Sequence, residues 1–273
     1  MPLRKIELPV EPPSKTQSTQ HDLDRPTAIQ IYEQVSLNAR RELARSNISL
    51  AISGLVGGLT MGLTALGVSI ASATLGQSPT ARFVAFLFYP LGFMAVILGR
   101  GQLFTENTLY PVALILTERR HVLSTLRLWA VVFSANVAGA FLFAILCART
   151  KALEPQVLAA MAQLGVSVAS HPIKHIFWSG VVGGWIIAMV AWLVSGSHSI
   201  TGSVALIWSL TFVVGLGHFA HCIAASGEIL AAVLSHQLPA SAYFAWLLPA
   251  TCGNITGGVL LVTLLEYGQA KLE

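Results

Sequence analysis

The 273-residue chain is 54% hydrophobic and only 10% charged, with 23 glycines, a balance that excludes an ordinary soluble domain and points to an integral membrane protein. A net charge of +4 does not indicate nucleic acid, because the basic residues crowd near the ends of apolar segments instead of forming a stripe with interleaved aromatics. Cys147, Cys222 and Cys252 have neither disulfide nor metal spacing and read as small interior residues, which leaves redox chemistry without support.

Residues 1–26 contain Pro2, Pro9, Pro12, Pro13 and Pro26 among mostly polar neighbours, a composition expected of a disordered, solvated cytoplasmic tail. No charged start followed by a short apolar run and a small-residue cleavage site opens the chain, so the segment is expected to be retained. Over 27–46, Ala28, Tyr32, Val35, Ala39 and Leu43 recur at three- and four-residue steps with arginines on the other side, predicting an amphipathic helix. It lies either along the membrane surface or as a cap packed on the spans.

Six spans are expected within 47–268: Ile48 to Ala73, Arg82 to Thr117, Val122 to Cys147, Ile173 to Ser195, Ile200 to Leu234 and Ser241 to Tyr267. The second and fifth are too long for the roughly 30 Å of bilayer hydrocarbon if they are unbroken helices rising about 1.5 Å per residue. Each has a polar interruption near its middle, Gly99 to Asn107 in one and Gly217 to Glu228 in the other. Both are therefore expected to be broken, which at membrane depth requires surrounding protein or a water-filled cavity. Between spans three and four, Pro155 to Leu164 suits a short interfacial helix, and residues 269–273 form a short cytoplasmic tail. Arg40, Arg41, Arg45, Arg119 and Arg120 place both termini in the cytoplasm, although Arg149 and Lys151 fall on the other side.

An internal repeat orders these spans. Ser53, Gly54, Gly57 and Gly58 in span one are echoed by Ser179, Gly180, Gly183 and Gly184 in span four, and Asn136 and Gly139 in span three by Asn254 and Gly257 in span six. Because each copy crosses three times, the second must face the opposite way, giving a 3+3 inverted repeat whose broken helices meet near the midplane. The expected fold is thus an all-α membrane protein of six transmembrane helices. The imidazoles and carboxylate of the Gly217 to Glu228 stretch would then lie at the centre of a pore.

Leu103, Phe104 and Thr105 in the first break, Phe219 to Ala224 in the second, and Gly253, Asn254, Ile255, Thr256, Gly257 and Gly258 in the last span resemble the formate/nitrite transporter family, over about residues 30 to 268. The resemblance implies an aquaporin-like protomer, a homopentamer, and one path with a central imidazole through each protomer. Carried over by position, His221 takes the central histidine's place and Leu103, Phe104 and Thr105 the first break's loop. Tyr89 and Phe93 fall near the constriction, and Lys174, or His171 or His175, near a lysine at the outer end of helix four. Ala220, Ala225 and Gly184 stand where the family commonly has polar residues, whereas Arg100, Glu106, His218 and Glu228 are additions. The chain is identified as a divergent member.

The function that the resemblance implies is passage of a small monovalent anion such as formate, nitrite or a short monocarboxylate. Lys174 and positive half-helix ends would attract it and His221 would supply a proton. The neutral acid would then slip past Phe104, Tyr89 and Phe93. Arg100, Glu106 and Glu228 would pair across the repeat, since unpaired charges there are expensive. The same six-helix pattern would also suit a channel for a small neutral solute, or a scaffold that transports nothing. His218, three residues before His221, would share a helical face with it if that backbone were helical. An intramembrane metalloprotein using these imidazoles, with Glu228 or Cys222, is therefore a further reading, though no HExxH pattern or third ligand at clear spacing supports it. Nothing in the pattern calls for catalysis or a cofactor.

Overall fold

The computed structural model describes residues 26–272, so nearly all of the predicted N-terminal tail lies outside the described residues. Every regular element among the described residues is helical. The chain runs α1 (Ala28–Ala44), α2 (Asn47–Leu75), α3 (Pro79–Phe86), α4 (Leu91–Leu98), a short 3-10 turn (Glu106–Thr108), α5 (Tyr110–Glu118), α6 (Val122–Arg149) and α7 (Pro155–Ala169). There follow α8 (Ile173–Ser195), α9 (Ile200–Leu216), α10 (Ser226–Leu234), α11 (Ala240–Thr256), a π-helical stretch (Gly257–Thr263) and α12 (Leu264–Leu272). The last helix therefore continues over 269–272, which form no separate tail.

Among the described residues, five helical stretches are long and apolar enough to cross a bilayer: Asn47–Leu75, Pro79–Leu98, Val122–Arg149, Ile173–Ser195 and Ala240–Leu272. Ile200–Leu216 is shorter, at roughly 25 Å by helical rise. Large apolar side chains such as Ile52, Leu123, Trp178, Phe244 and Leu248 stand on the outside. An apolar exterior of this kind needs lipid or a neighbouring subunit.

The helices start where their sequences allow. Thr27 and Gln30 form a reciprocal capping box ahead of α1, and Ser46, Ser78 and Ser199 accept backbone N–H bonds ahead of α2, α3 and α9. Tyr32, Val35 and Ala39 of α1 are buried, and the Tyr32 hydroxyl donates to the Ala113 carbonyl at 2.6 Å. Its ring packs between Trp192 and Tyr267, so α1 is a cap on α5, α8 and α12 rather than a free surface helix. This end of the bundle, carrying both terminal helices, is called the terminal end, and the opposite end, with the 76–78, 150–154 and 235–239 connections, the loop end.

The connector helix differs from its expectation. α7 extends to Ala169 and buries Met161 and Gly165 against α10 and α2; a Cβ on Gly165 would come within 2.3 Å of the Glu228 carbonyl. Its apolar residues Leu164, Val168 and Ala169 pack against the core instead of floating in the interface.

Spans two and five break in the same way. The Arg100 and His218 backbones take left-handed conformations (φ 58° and 52°). Gly101 N–H donates to the Val96 carbonyl and Phe219 N–H to that of Val214, at 2.9 and 3.0 Å, while Arg100 and His218 donate to Ile97 and Gly215. This is the Schellman ending of a helix, here with a side-chain-bearing residue where glycine is usual. Span two has a further turn at 87–90, since Pro90 cannot donate the bond that would continue α3.

Two asparagines secure the resulting loops, one in each half. Asn136 accepts from Phe104 N–H at 2.8 Å and donates to the Gly54 and Gln102 carbonyls at 2.7 and 2.8 Å. Asn254 accepts from Cys222 N–H and donates to the Gly180 and Ala220 carbonyls, each at 2.8 Å. These matching sets, in halves that cross an odd number of times, are consistent with the inverted repeat. The helix contacts match too: a Cβ on Gly58 would lie 2.0 Å from the Asn136 carbonyl oxygen, and one on Gly184 2.2 Å from that of Asn254. Only glycine permits those approaches.

Candidate transport site

The two breaks bring their loops together in the middle of the molecule. Leu103, Phe104 and Thr105 from the first and His221 from the second are all buried, and His221 Nε2 lies 2.8 Å from Thr105 Oγ1. The other ring nitrogen, Nδ1, accepts the Ala224 N–H at 2.9 Å. A neutral imidazole has one donor and one acceptor nitrogen, so with Nδ1 accepting, Nε2 carries the hydrogen and Thr105 Oγ1 accepts it. The Thr105 hydroxyl hydrogen then has no acceptor among the described residues and is free to point at a permeant. The Thr105 carbonyl in turn accepts from Thr108 Oγ1, which fixes the loop below it.

A line of rings connects this centre with the loop end. Phe93 meets His221 edge-on at 5.0 Å between centroids, Tyr89 lies 5.8 Å from Phe93, Phe86 6.3 Å from Tyr89, and His218 4.9 Å from Phe86, again edge-on. The line ends at a cavity of about 340 Å³ lined by Gln77, Arg82, Phe86 and His218 among others. Tyr89 is held in place by Gly215, where a Cβ would come within 2.4 Å of its ring. Phe104 points elsewhere: its ring packs against Trp129 and Phe133 of α6.

Several expectations need correcting. His218 and His221 do not share a helical face, because the backbone between them is the helix break; His218 is exposed at the loop-end mouth and His221 fully buried. Among the described residues no group of three or more His, Cys, Asp or Glu side chains is arranged to hold a metal. Arg100, Glu106 and Glu228 form no ion pair with one another or with any other described residue. Arg100 is exposed at the left-handed turn, while Glu106 and Glu228 are buried in different half-helices. Lys174 is exposed in the first turn of α8, at the loop end beside the tilted His171 and His175 rings, and so away from the centre. Gly184, matched by position to a polar residue near the histidine, instead meets the Asn254 backbone.

The role of Asn136 and Asn254 in clamping the breaks goes beyond their use as markers of the repeat. The available signal was a lone amide in the middle of each of two otherwise apolar spans, where a polar side chain needs a partner.

The family model described as formate/nitrite transporter matches residues 29–268, nearly all of the described chain. The chain belongs to the formate/nitrite transporter family. It is 28% identical over 272 residues to the inner membrane protein YfdC of Escherichia coli (strain K12), covering 98% of this chain and 87% of that protein. It is also similar to the formate channel FocA of Haemophilus influenzae, 23% identical over 219 residues, 70% of this chain and 75% of that one. Among solved structures, a channel described as an FNT family ion channel superposes with a TM-score of 0.79 at 16% identity, covering 87% of this chain and 98% of that one. A pentameric formate channel with formate bound gives 0.70 at 18% identity, covering 83% and 98%. These likenesses confirm the all-helical channel fold, and the family membership makes the chain a transmembrane channel or transporter of the anion-carrying class.

Proposed function

We propose that the chain conducts small weak-acid anions of the formate and nitrite class, or short monocarboxylates, each crossing with a proton as the neutral acid. The observation that carries this is the buried Thr105–His221 hydrogen bond, which closes two broken spans where the line of rings through Phe93 and Tyr89 reaches the centre. A bare anion placed in such surroundings costs on the order of 20 kcal/mol by an idealised Born estimate, and several even after relaxation. Protonating an acid of pKa near 4 at neutral pH costs only about 4 kcal/mol. Neutralisation is the cheaper route.

In this mechanism the Arg82 and His218 cavity and the exposed Lys174 raise the local anion concentration at the loop end. The Thr105 hydroxyl hydrogen, left free because the His221 Nε2–H donates to Thr105 Oγ1, then offers a hydrogen bond where the permeant has lost its water. Five such protomers assembled around a central axis would resemble the pentameric formate channel that this chain superposes on. With Arg40, Arg41, Arg45, Arg119, Arg120 and Arg127 gathered towards the terminal end, that end faces the cytoplasm of an inner membrane and the loop end faces outward.

The test is a proteoliposome screen of formate, nitrite, acetate and lactate at acidic and neutral outside pH. Uptake of at least one that rises with an inward proton gradient is the expected result. Glycerol, water or ammonia flux indifferent to pH, with no anion uptake, would replace this function by a neutral-solute channel.

A further inference from the structure

The transport route as described leaves two buried carboxyls of the protein without a task. Glu106 follows Thr105 directly in the chain, about 3.8 Å away between Cα atoms, on the side from which α5 leads to the terminal end. Glu228 lies in the first turn of α10, which leads to the loop end, and its field reaches Tyr89 in the line of rings. Their residues are only 7% and 8% exposed.

Neither has a hydrogen-bond partner, and no Lys, Arg or His nitrogen comes within 4 Å of either, among the described residues. Helix capping does not explain them, because no side chain caps the start of α5 or α10. Nor are their oxygens sealed in, as the unpartnered Thr64 Oγ1 and Trp246 Nε1 are. The carboxyl oxygens therefore keep some accessible surface although their residues are buried. Ionisable side chains at membrane depth without partners are costly and generally belong to a pathway.

We propose that Glu106 and Glu228 are proton-exchanging carboxyls on the route, one on each side of the Thr105–His221 pair, an assignment that rests on the weak-acid transport proposed above. For inward movement, the Glu228 carboxylic acid gives its proton to the arriving anion, leaving a carboxylate and a neutral acid. The acid passes Thr105 and His221 and gives its proton to the Glu106 carboxylate. Glu228 is reloaded from water at the loop end, and Glu106 discharges to water at the terminal end. One anion and one proton cross, with no other reactant consumed. The charged and phenolic groups whose fields couple to Glu106 are Arg100 in the preceding break, Tyr110 in α5 and Glu42 in α1, and Tyr89 is coupled in the same way to Glu228.

The experiment measures labelled formate uptake in oriented proteoliposomes with the pH of each side varied separately, for wild type, Glu228→Gln and Glu106→Gln. Glu228→Gln is expected to reduce the acceleration by loop-end acid about tenfold or more while keeping the dependence on terminal-end pH, and Glu106→Gln to do the reverse. Wild-type pH dependence on both sides in both variants, or equal loss on both sides, would overturn the assignment. If a variant fails to assemble, wild-type protein is treated with a hydrophobic carbodiimide and its peptides are weighed. Adducts on Glu106 and Glu228 that diminish at alkaline pH support the assignment, and their absence overturns it. A wild type that carries no weak acid at all would instead remove the transport proposal on which this one stands.

Discussion

Replacing Asn254 with alanine removes one acceptor and two donors at once, leaving the Cys222 N–H and the Gly180 and Ala220 carbonyls without their partner in a wholly buried place. With a typical net value of about 0.5–1.5 kcal/mol per hydrogen bond, the loss is about 1.5–4.5 kcal/mol, and the Cys222 N–H lies at the upper end because water cannot easily reach it. Asn136→Ala removes an equivalent set on Phe104, Gly54 and Gln102 and is expected to cost the same within about 1 kcal/mol. Thermal unfolding of the purified variants in mild detergent, followed by tryptophan fluorescence, reads the stability. Formate uptake reads the loop geometry, since each asparagine holds the residue next to Thr105 or His221. The expected result is a clear loss of stability and of flux in both. Unfolding of both within about one degree of wild type would refute the clamp. Loss in one alone would refute the equivalence of the two halves.

Gly184→Leu is expected to abolish the folded species on size-exclusion chromatography, because even its Cβ would meet the Asn254 carbonyl oxygen at 2.2 Å and overpacking costs about 1–3 kcal/mol or more. Tyr32→Phe removes the hydroxyl bonded to Ala113 and Thr117 and should raise proteolysis within 28–44, with a loss of about 1 kcal/mol. At the terminal end, hydrogen bonds from His121 and Arg120, with Arg40 paired as well, hold the Glu118 carboxyl down at about 2 against an ordinary 4.5. A carboxyl lowered in the folded state stabilises above its ordinary value and stops doing so as pH falls through the lowered one. Hydrogen exchange of α1 should therefore be unchanged down to about pH 4.5 and rise between there and about 2. Glu118→Gln should remove that rise.

The spans and their breaks were legible because hydropathy and length conflict in segments two and five, and only interruption resolves the conflict. The glycine and asparagine echoes likewise located the contacts that the structure shows between Gly58 and Asn136 and between Gly184 and Asn254. What sequence could not supply was direction. His218 and His221 are three apart, yet the left-handed His218 backbone sends one to the mouth and the other to the centre. Arg100 and Glu106 are close in sequence, but the same turn leaves the arginine exposed instead of paired. The Thr105–His221 bond joins residues from opposite halves, a long-range contact with no local periodicity to announce it. The π-helical stretch at Gly257–Thr263, stabilised by Thr263 donating to Gly258 and Thr108 carbonyls, was equally silent.

The central imidazole is tested most directly by the initial rate of labelled formate uptake into proteoliposomes carrying equal amounts of assembled wild type or His221→Ala. Wild-type uptake should climb as the outside is acidified, and the variant should be slower by about tenfold or more at every pH. Equal rates in the two proteins would show that residue 221 takes no part in moving the permeant.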